Sequence, residues 1–317
     1  MSYMDDHSTS IILSFLASKD ILTCRLVSTQ FNNIIMDTPY LRCKIYTSFD
    51  QCIDTDDHEA FKLLFSRSHL TSICDAIYRK NKRQFIITML EIYNDKHITS
   101  NHVYEPICGL IAKFGDIELM QRAKQIGLQW DTFTFRFAIA NGHLELAKYL
   151  HDHNCPMDPK ACASAAANNR LTCLKYLHEI GAQWGDYVCC CAARYGSFGC
   201  LKYAHDNGCD LDAHVCSCAA MSGSLDCLRY AHINGGAWDV NTCAIAAKNG
   251  NIDCLVYAHE NGCPWDAGTL IVSVMYDQFD CFDYAFQNGC TWDAHELYFG
   301  ITNERHLSFA RKFNYPL

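Results

Sequence analysis

Cysteine and histidine are the residue types that could do chemistry in this chain, which has 21 cysteines and 15 histidines. They recur as Cys-x4-His pairs, such as Cys200 with His205, and both side chains are zinc ligands. Structural zinc sites use pairs such as Cys-x2-Cys, which do not occur here, and residues five apart on a helix point about 140° apart. We therefore predict buried cysteines and no metal, with a Cys/His metal-binding protein as an alternative.

Catalytic motifs are the next place to look for chemistry. The sequence contains no G-x-S-x-G, P-loop, H-E-x-x-H or kinase-type set. Its Cys, His and Asp residues recur at regular intervals, which is typical of structural positions. We predict that the protein is not an enzyme and needs no cofactor.

Charge, thiols and hydropathy indicate the setting in which the chain works. A formal net charge of −9 without a Lys/Arg block predicts no nucleic-acid partner. Residues 1–20 have no basic leader, and no apolar run approaches the roughly 18 residues that span a bilayer, so no membrane association is expected. The odd cysteine count includes three adjacent thiols at Cys189, Cys190 and Cys191, which favours reduced cysteines and a cytoplasmic or nuclear location.

An internal repeat of 27 residues positions these side chains. Tryptophan, tyrosine, histidine and aspartate each recur on the same 27-residue grid, which indicates a repeat architecture. The grid is visible at Trp130, Trp184, Trp238, Trp265 and Trp292; at Tyr149, Tyr176, Tyr203, Tyr230, Tyr257 and Tyr284; and at His151, His178, His205, His232 and His259.

One copy, Trp238 to Pro264, predicts how a repeat folds. Asp239 is an N-cap residue type, and Val240–Lys248 reads as a short helix with small side chains that ends at Asn249-Gly250. Asn251 is predicted to cap a second helix, which ends at Asn261-Gly262. Helices this short are unstable alone and must stack on their neighbours. The predicted fold class is therefore all-α, an α-solenoid of stacked helix–turn–helix repeats with a small N-terminal helical domain.

The second half of each copy resembles the ankyrin repeat. Residues 138–150 read AIANGHLELAKYL, which is similar to that family's helix–turn–helix stretch, and Asn261-Gly262-Cys263 is similar to its turn. The usual ankyrin unit has 33 residues and a Thr-Pro-Leu-His opening, so the shorter unit here implies few or no projecting fingers. Short repeats of this Cys- and Trp-rich kind resemble arrays in giant DNA viruses, which would imply a host-cell cytoplasm. We predict degenerate repeats over 46–102 and the array with a C-terminal cap over 103–317.

The first 45 residues do not follow the grid and resemble an F-box. The resemblance rests on the apolar helix around Ile12, on Val27-Ser28-Thr29-Gln30-Phe31 and on Asp37-Thr38-Pro39-Tyr40-Leu41. It implies docking to a Skp-type adaptor of a cullin–RING ubiquitin ligase. The residues that the resemblance assigns to the adaptor or to the segment's own core are Ile12, Leu16, Leu22, Leu26, Val27 and Phe31. A plain N-terminal cap for the solenoid is the alternative.

Positions that vary between otherwise constant copies are the candidates for target binding. They follow the tryptophan–aspartate pair, at the start of each first helix. Variation on a constant framework suits a recognition surface, and it also suits unconstrained exposed positions. The candidates are Phe133, Lys160, His214, Asn241 and His295. We expect an adaptor whose repeats bind an unknown target protein; a scaffold or decoy without a ligase link is the alternative.

Overall fold

A computed structural model describes residues 49–58, 61–62, 70–95, 106–184 and 187–291 of the chain. The predicted F-box residues Ile12, Leu16, Leu22, Leu26, Val27 and Phe31, together with His295 and the predicted C-terminal cap, lie outside these ranges.

The described residues belong to two compact units that divide between Thr134 and Phe135. The first unit contains α1 (Phe49–Asp54), α2 (Leu70–Arg79), α3 (Gln84–Asp95), α4 (Pro106–Phe114) and α5 (Ile117–Gln125). Helix α6 (Thr132–Asn141) extends across the division. The predicted boundaries at 45/46 and 102/103 stay a prediction.

The second unit is a succession of short helices. It contains α7 (Leu144–Asp152), α8 (Ala161–Ala167), α9 (Leu171–Glu179), α10 (Val188–Arg194), α11 (Phe198–Asp206), α12 (Ala213–Ser222), α13 (Leu225–Ile233), α14 (Val240–Lys248), α15 (Ile252–Glu260), α16 (Ala267–Met275) and α17 (Phe279–Gln287). Over the ranges that the structure describes, every regular element is a helix, and the predicted all-α class is confirmed.

Helices of the second unit pair along the chain, and the pairs stack. A first helix, such as α10, packs on its own second helix, α11, and on the first helix of the next copy, α12. Second helices likewise pack on second helices, as α11 does on α13. This nearest-neighbour pattern defines a stack of helix–turn–helix units, and the predicted solenoid is confirmed.

Local sequence explains where each helix begins. The carboxylate of Asp239 accepts a hydrogen bond from the backbone N–H of Asn241 at 3.0 Å, and Thr242 completes a capping box. The helix that follows is Val240–Lys248, with the predicted bounds, and the predicted N-cap is confirmed. It ends before Gly250, whose φ of +72° is a left-handed conformation that favours glycine.

Small side chains bring neighbouring first helices together. In α14 the buried residues include Cys243, Ala246 and Ala247, none of which has a long side chain. Short helices of this kind bury too little surface to be stable alone, so the stack supplies their stability.

The prediction that the side chain of Asn251 caps α15 is wrong. Its amide makes no capping bond and instead donates to the backbone oxygens of Ala220, at 2.8 Å, and Met221, at 3.1 Å. Those carbonyls lie at the C-terminal end of α12, in the preceding copy, where a helix leaves its last oxygens without internal partners. Asn251 thus occupies the N-cap position of α15, but its side chain joins two copies instead of capping the helix.

The first unit keeps the same helix pairing in its less regular sequence. The predicted weak copy between Leu70 and Ile92 forms α2 and α3, with Ala76 and Ile77 buried in the first of these and Phe85 in the second. Among the described helices of the chain, none is both long and apolar enough to cross a bilayer.

Candidate protein-interaction surface

A ladder of hydrogen bonds links the second helices of successive copies. Four histidines of the repeat, from His178 to His259, each meet the tyrosine hydroxyl of the next copy, 25 residues further along the chain. The Nδ1-to-Oη distances are 3.0 Å for His178–Tyr203, 2.9 Å for His205–Tyr230, 3.0 Å for His232–Tyr257 and 3.0 Å for His259–Tyr284. The histidine and tyrosine columns are thus engaged in holding the stack together.

Tryptophan also takes part in the contact between successive copies. The ring of Trp238 stacks on His232 with centroids 3.7 Å apart and planes 20° apart, and Trp265 stacks on His259 in the same way. Tyr257 then meets Trp238 edge-on at 6.3 Å. Because the tryptophan–histidine stacks lie between copies, these tryptophans contribute to the packing of one copy on the next.

The regular cysteine column lies in the core. Cys173, Cys200, Cys227, Cys254 and Cys281 are each at most 1% exposed. Burial disfavours the thiolate and raises the pKa of Cys200, Cys254 and Cys281 to about 11. A thiol that stays protonated at neutral pH is a poor metal ligand, and its column is occupied by leucine at position 146.

Metal binding was the alternative use of the cysteines and histidines. Over the part of the chain that the structure describes, no three His, Cys, Asp or Glu side chains come together in a way that could hold a metal ion. The thiols of the cysteine column, from Cys173 to Cys281, are free rather than disulfide-bonded.

The outward stripe of each first helix forms the candidate surface. In α14 the side chains of Asn241, Ala244, Ile245 and Lys248 are not buried, and the last three lie 3, 4 and 7 residues after Asn241, so the four share one side of the helix. We call the corresponding stripe of all five first helices from α8 to α16 the first-helix face. Because first helices pack side by side, these stripes adjoin one another.

Three predicted target-binding residues lie on this face at equivalent positions. Lys160, His214 and Asn241 are exposed at the starts of α8, α12 and α14. Their backbone N–H groups donate to the carboxylates two residues earlier, at 2.8, 2.9 and 3.0 Å. These bonds hold the backbone in place at the start of each helix. Phe133, in the first unit, is 41% exposed.

Tyr187 is a fourth residue of this column that sequence reasoning missed. It precedes α10, and 67% of its surface is exposed, the highest value among the large hydrophobic residues of the described first helices and their flanks. In other copies aspartate follows tryptophan directly, but here the order is Trp184-Gly185-Asp186. A search for tryptophan–aspartate pairs therefore misses this copy. The 27-residue spacing from Lys160 was the signal that could have found it.

Comparison with known proteins concerns both the N-terminal segment and the repeats. The F-box domain family matches residues 1–42. Among solved structures, the human ASB11 ankyrin repeat domain is similar with a TM-score of 0.43 and 17% identity, over 50% of this chain and 84% of that chain. No curated protein matches the sequence.

The interpretation of the chain as an F-box segment followed by ankyrin-like repeats is confirmed. The repeats are described above from their own helix packing, and the F-box segment rests on the family match at residues 1–42. The chain therefore combines a segment of a protein-interaction family with a stack of helix pairs that presents varied residues to solvent.

Proposed function

We propose that this protein is the substrate receptor of a Skp–cullin–F-box type ubiquitin ligase, acting in the cytoplasm or nucleus. Its N-terminal segment would dock to the Skp-type adaptor, and its repeats would hold the target protein. The observation that carries the proposal is the F-box match at residues 1–42 in the same chain as a repeat stack. In this role the protein performs no chemistry itself and brings a substrate to the ligase.

The repeats separate the residues that pack from the residues that are exposed, which supports the same proposal. Their histidine, tyrosine, tryptophan and cysteine columns are engaged in packing between and within copies. The residues that differ from copy to copy, Lys160, Tyr187, His214 and Asn241, are exposed. A constant framework with varied exposed side chains can be specific for one partner without altering its own fold.

The adaptor half of the proposal is tested by binding of the purified full chain to a Skp-type adaptor. Leu16→Asp with Leu26→Asp places charge on two of the apolar residues that the F-box resemblance assigns to the adaptor contact or to the segment's own core. We expect adaptor binding to the unaltered chain and its loss in this double variant. Lys202→Glu, on an exposed residue of α11, is the control and should bind normally.

A loss of adaptor binding supports the proposal only if the variant is folded. The helical circular dichroism and thermal midpoint of the repeats should be the same in both variants. If the unaltered, folded chain does not bind the adaptor, the ligase link is wrong, and residues 1–45 would be the plain cap that the sequence left as the alternative.

A further inference from the structure

Carboxylates are absent from the first helices of the second unit, although the chain as a whole is acidic, with a formal charge of −9. None of the helices α8, α10, α12, α14 and α16 contains an aspartate or a glutamate. Every second helix of this unit contains at least one: Glu145 and Asp152, Glu179, Asp206, Asp226, Asp253 and Glu260, and Asp280 and Asp283. The first helices thus contain no acid that would offset their bases, whereas the second helices contain acids together with bases such as Lys175, Lys202 and Arg229.

Cations do occur on the first-helix face. Lys160, Arg194 and Lys248 are all exposed, and each belongs to a different copy. His214 adds a fourth basic side chain. Acids at the starts of these helices include the N-cap carboxylates of Asp212 and Asp239, which accept hydrogen bonds from the first backbone N–H groups and so face the positive end of a helix.

Between these cations the face is made of small and apolar side chains. All of the following are half-buried or exposed: Ala163, Ser164 and Ala167 on α8; Cys191 on α10; Ser217, Cys218 and Met221 on α12; Ala244 and Ile245 on α14; and Ile271, Val272 and Met275 on α16. Tyr187 and Tyr195, exposed by 67% and 65%, stand at the two ends of α10. Exposed aromatic and apolar groups that adjoin in this way mark interaction sites.

We propose that the first-helix face binds an acidic, apolar segment of the target protein. The apolar centre would bury side chains of that segment, and its carboxylates would meet Lys160, Arg194 and Lys248 at the rim. Complementary charge directs encounter and excludes basic segments. The second-helix side carries acids together with bases such as Lys175, Lys202 and Arg229, so it does not offer such a ligand a surface free of acids. This inference rests on the proposed function only in that the repeats bind the target; it does not need the ligase link.

A random-peptide display library, selected on the full-length chain, is the probe. We expect the enriched peptides to combine Asp or Glu with apolar residues. The test variant is Lys160→Glu with Arg194→Glu and Lys248→Glu, which should weaken binding of a synthetic enriched peptide by about tenfold or more. The same affinity should also fall as salt is raised, because the charged contacts lie at the rim.

The repeat supplies a matched control. Lys175→Glu with Lys202→Glu and Arg229→Glu also reverses two lysines and one arginine in three successive copies, on the second helices, where all three residues are exposed. This control should keep its affinity for the peptide within about twofold. Equal thermal midpoints for the two triple variants would show that the repeats fold equally well.

The remaining outcomes each overturn the inference. Enriched peptides without acids, or equal loss of binding in the two triple variants, would show that the charge of this face does not select the ligand. Self-association of the chain that disappears in the test variant would make a second copy the occupant. If no peptide is enriched at all, target binding by the repeats fails as well, whereas adaptor binding, measured separately, is unaffected by any of these results.

Discussion

Two cysteines, one on α12 and one on α15, show how surroundings set the chemistry of one residue type. Cys218 is half-exposed on α12, where its sulfur interacts with Cys190 and lies near Arg194. These interactions favour the thiolate and lower the pKa of Cys218 to about 7. Cys254 is buried, and desolvation raises its pKa to about 11.

Alkylation by iodoacetamide should therefore distinguish the two thiols. At pH 8 about nine-tenths of Cys218 would be thiolate, compared with about one-thousandth of Cys254. Because Cys218 ionises below this pH, its labelling rate should rise as pH is raised towards about 8 and then level off. Peptide mass spectrometry of the native protein measures both rates. Equal labelling of Cys218 and Cys254 would show that the two environments do not differ in this way.

At the scale of elements, successive second helices are held by packing and by one directed bond per copy. The bond between His232 and Tyr257 joins α13 to α15 and lies beside the stacked ring of Trp238. Because the partners are in different copies, the bond contributes to the interface between neighbours rather than to either helix alone.

Tyr257→Phe removes this bond and keeps the ring. We expect a loss of about 1 kcal/mol in the free energy of unfolding, since an intramolecular hydrogen bond typically contributes 0.5–1.5 kcal/mol. Urea unfolding followed by circular dichroism measures the change. Tyr187→Phe, at an exposed site, is the control and should leave the midpoint where it is. If the Tyr257→Phe protein unfolds at the same urea concentration as the control, the histidine–tyrosine hydrogen bond does not contribute to the free energy of unfolding.

Sequence periodicity predicted individual helices well and contacts between copies poorly. The helix Val240–Lys248 and its cap at Asp239 follow from local rules, since the residues involved are neighbours in the chain. The partners of Asn251 are about 30 residues away, and only the stacking of copies shows that its amide reaches them. Tyr187, by contrast, follows the 27-residue spacing from Lys160 and was missed only because Gly185 displaces the aspartate by one residue.

For the whole molecule, stability should be shared only between neighbours. In the second unit each helix pair packs on the pairs before and after it, and these contacts recur from copy to copy. Such a stack behaves as a row of coupled units, in which a local weakness spreads to adjacent units and fades with distance.

Leu228→Ala tests this behaviour in the middle of the stack. Leu228 is fully buried on α13, and its truncation should cost about 2–5 kcal/mol. Hydrogen–deuterium exchange should then speed up in α12–α13 and, less strongly, in the pairs α10–α11 and α14–α15. Helices α8 and α17 should change least. Uniform acceleration from α8 to α17 would instead indicate a single cooperative unit.

The histidine–tyrosine ladder also bears on how such a chain can change over generations. Each link spans 25 residues and is rebuilt identically at every step from His178 to Tyr284. Each of these copies therefore offers the same histidine–tyrosine contact to the copy that follows it. If a whole 27-residue copy were gained or lost in the gene, the copies brought together would still form this contact. The number of exposed ligand-facing stripes can thus be altered in one genetic event, with no compensating substitution in the packing between copies.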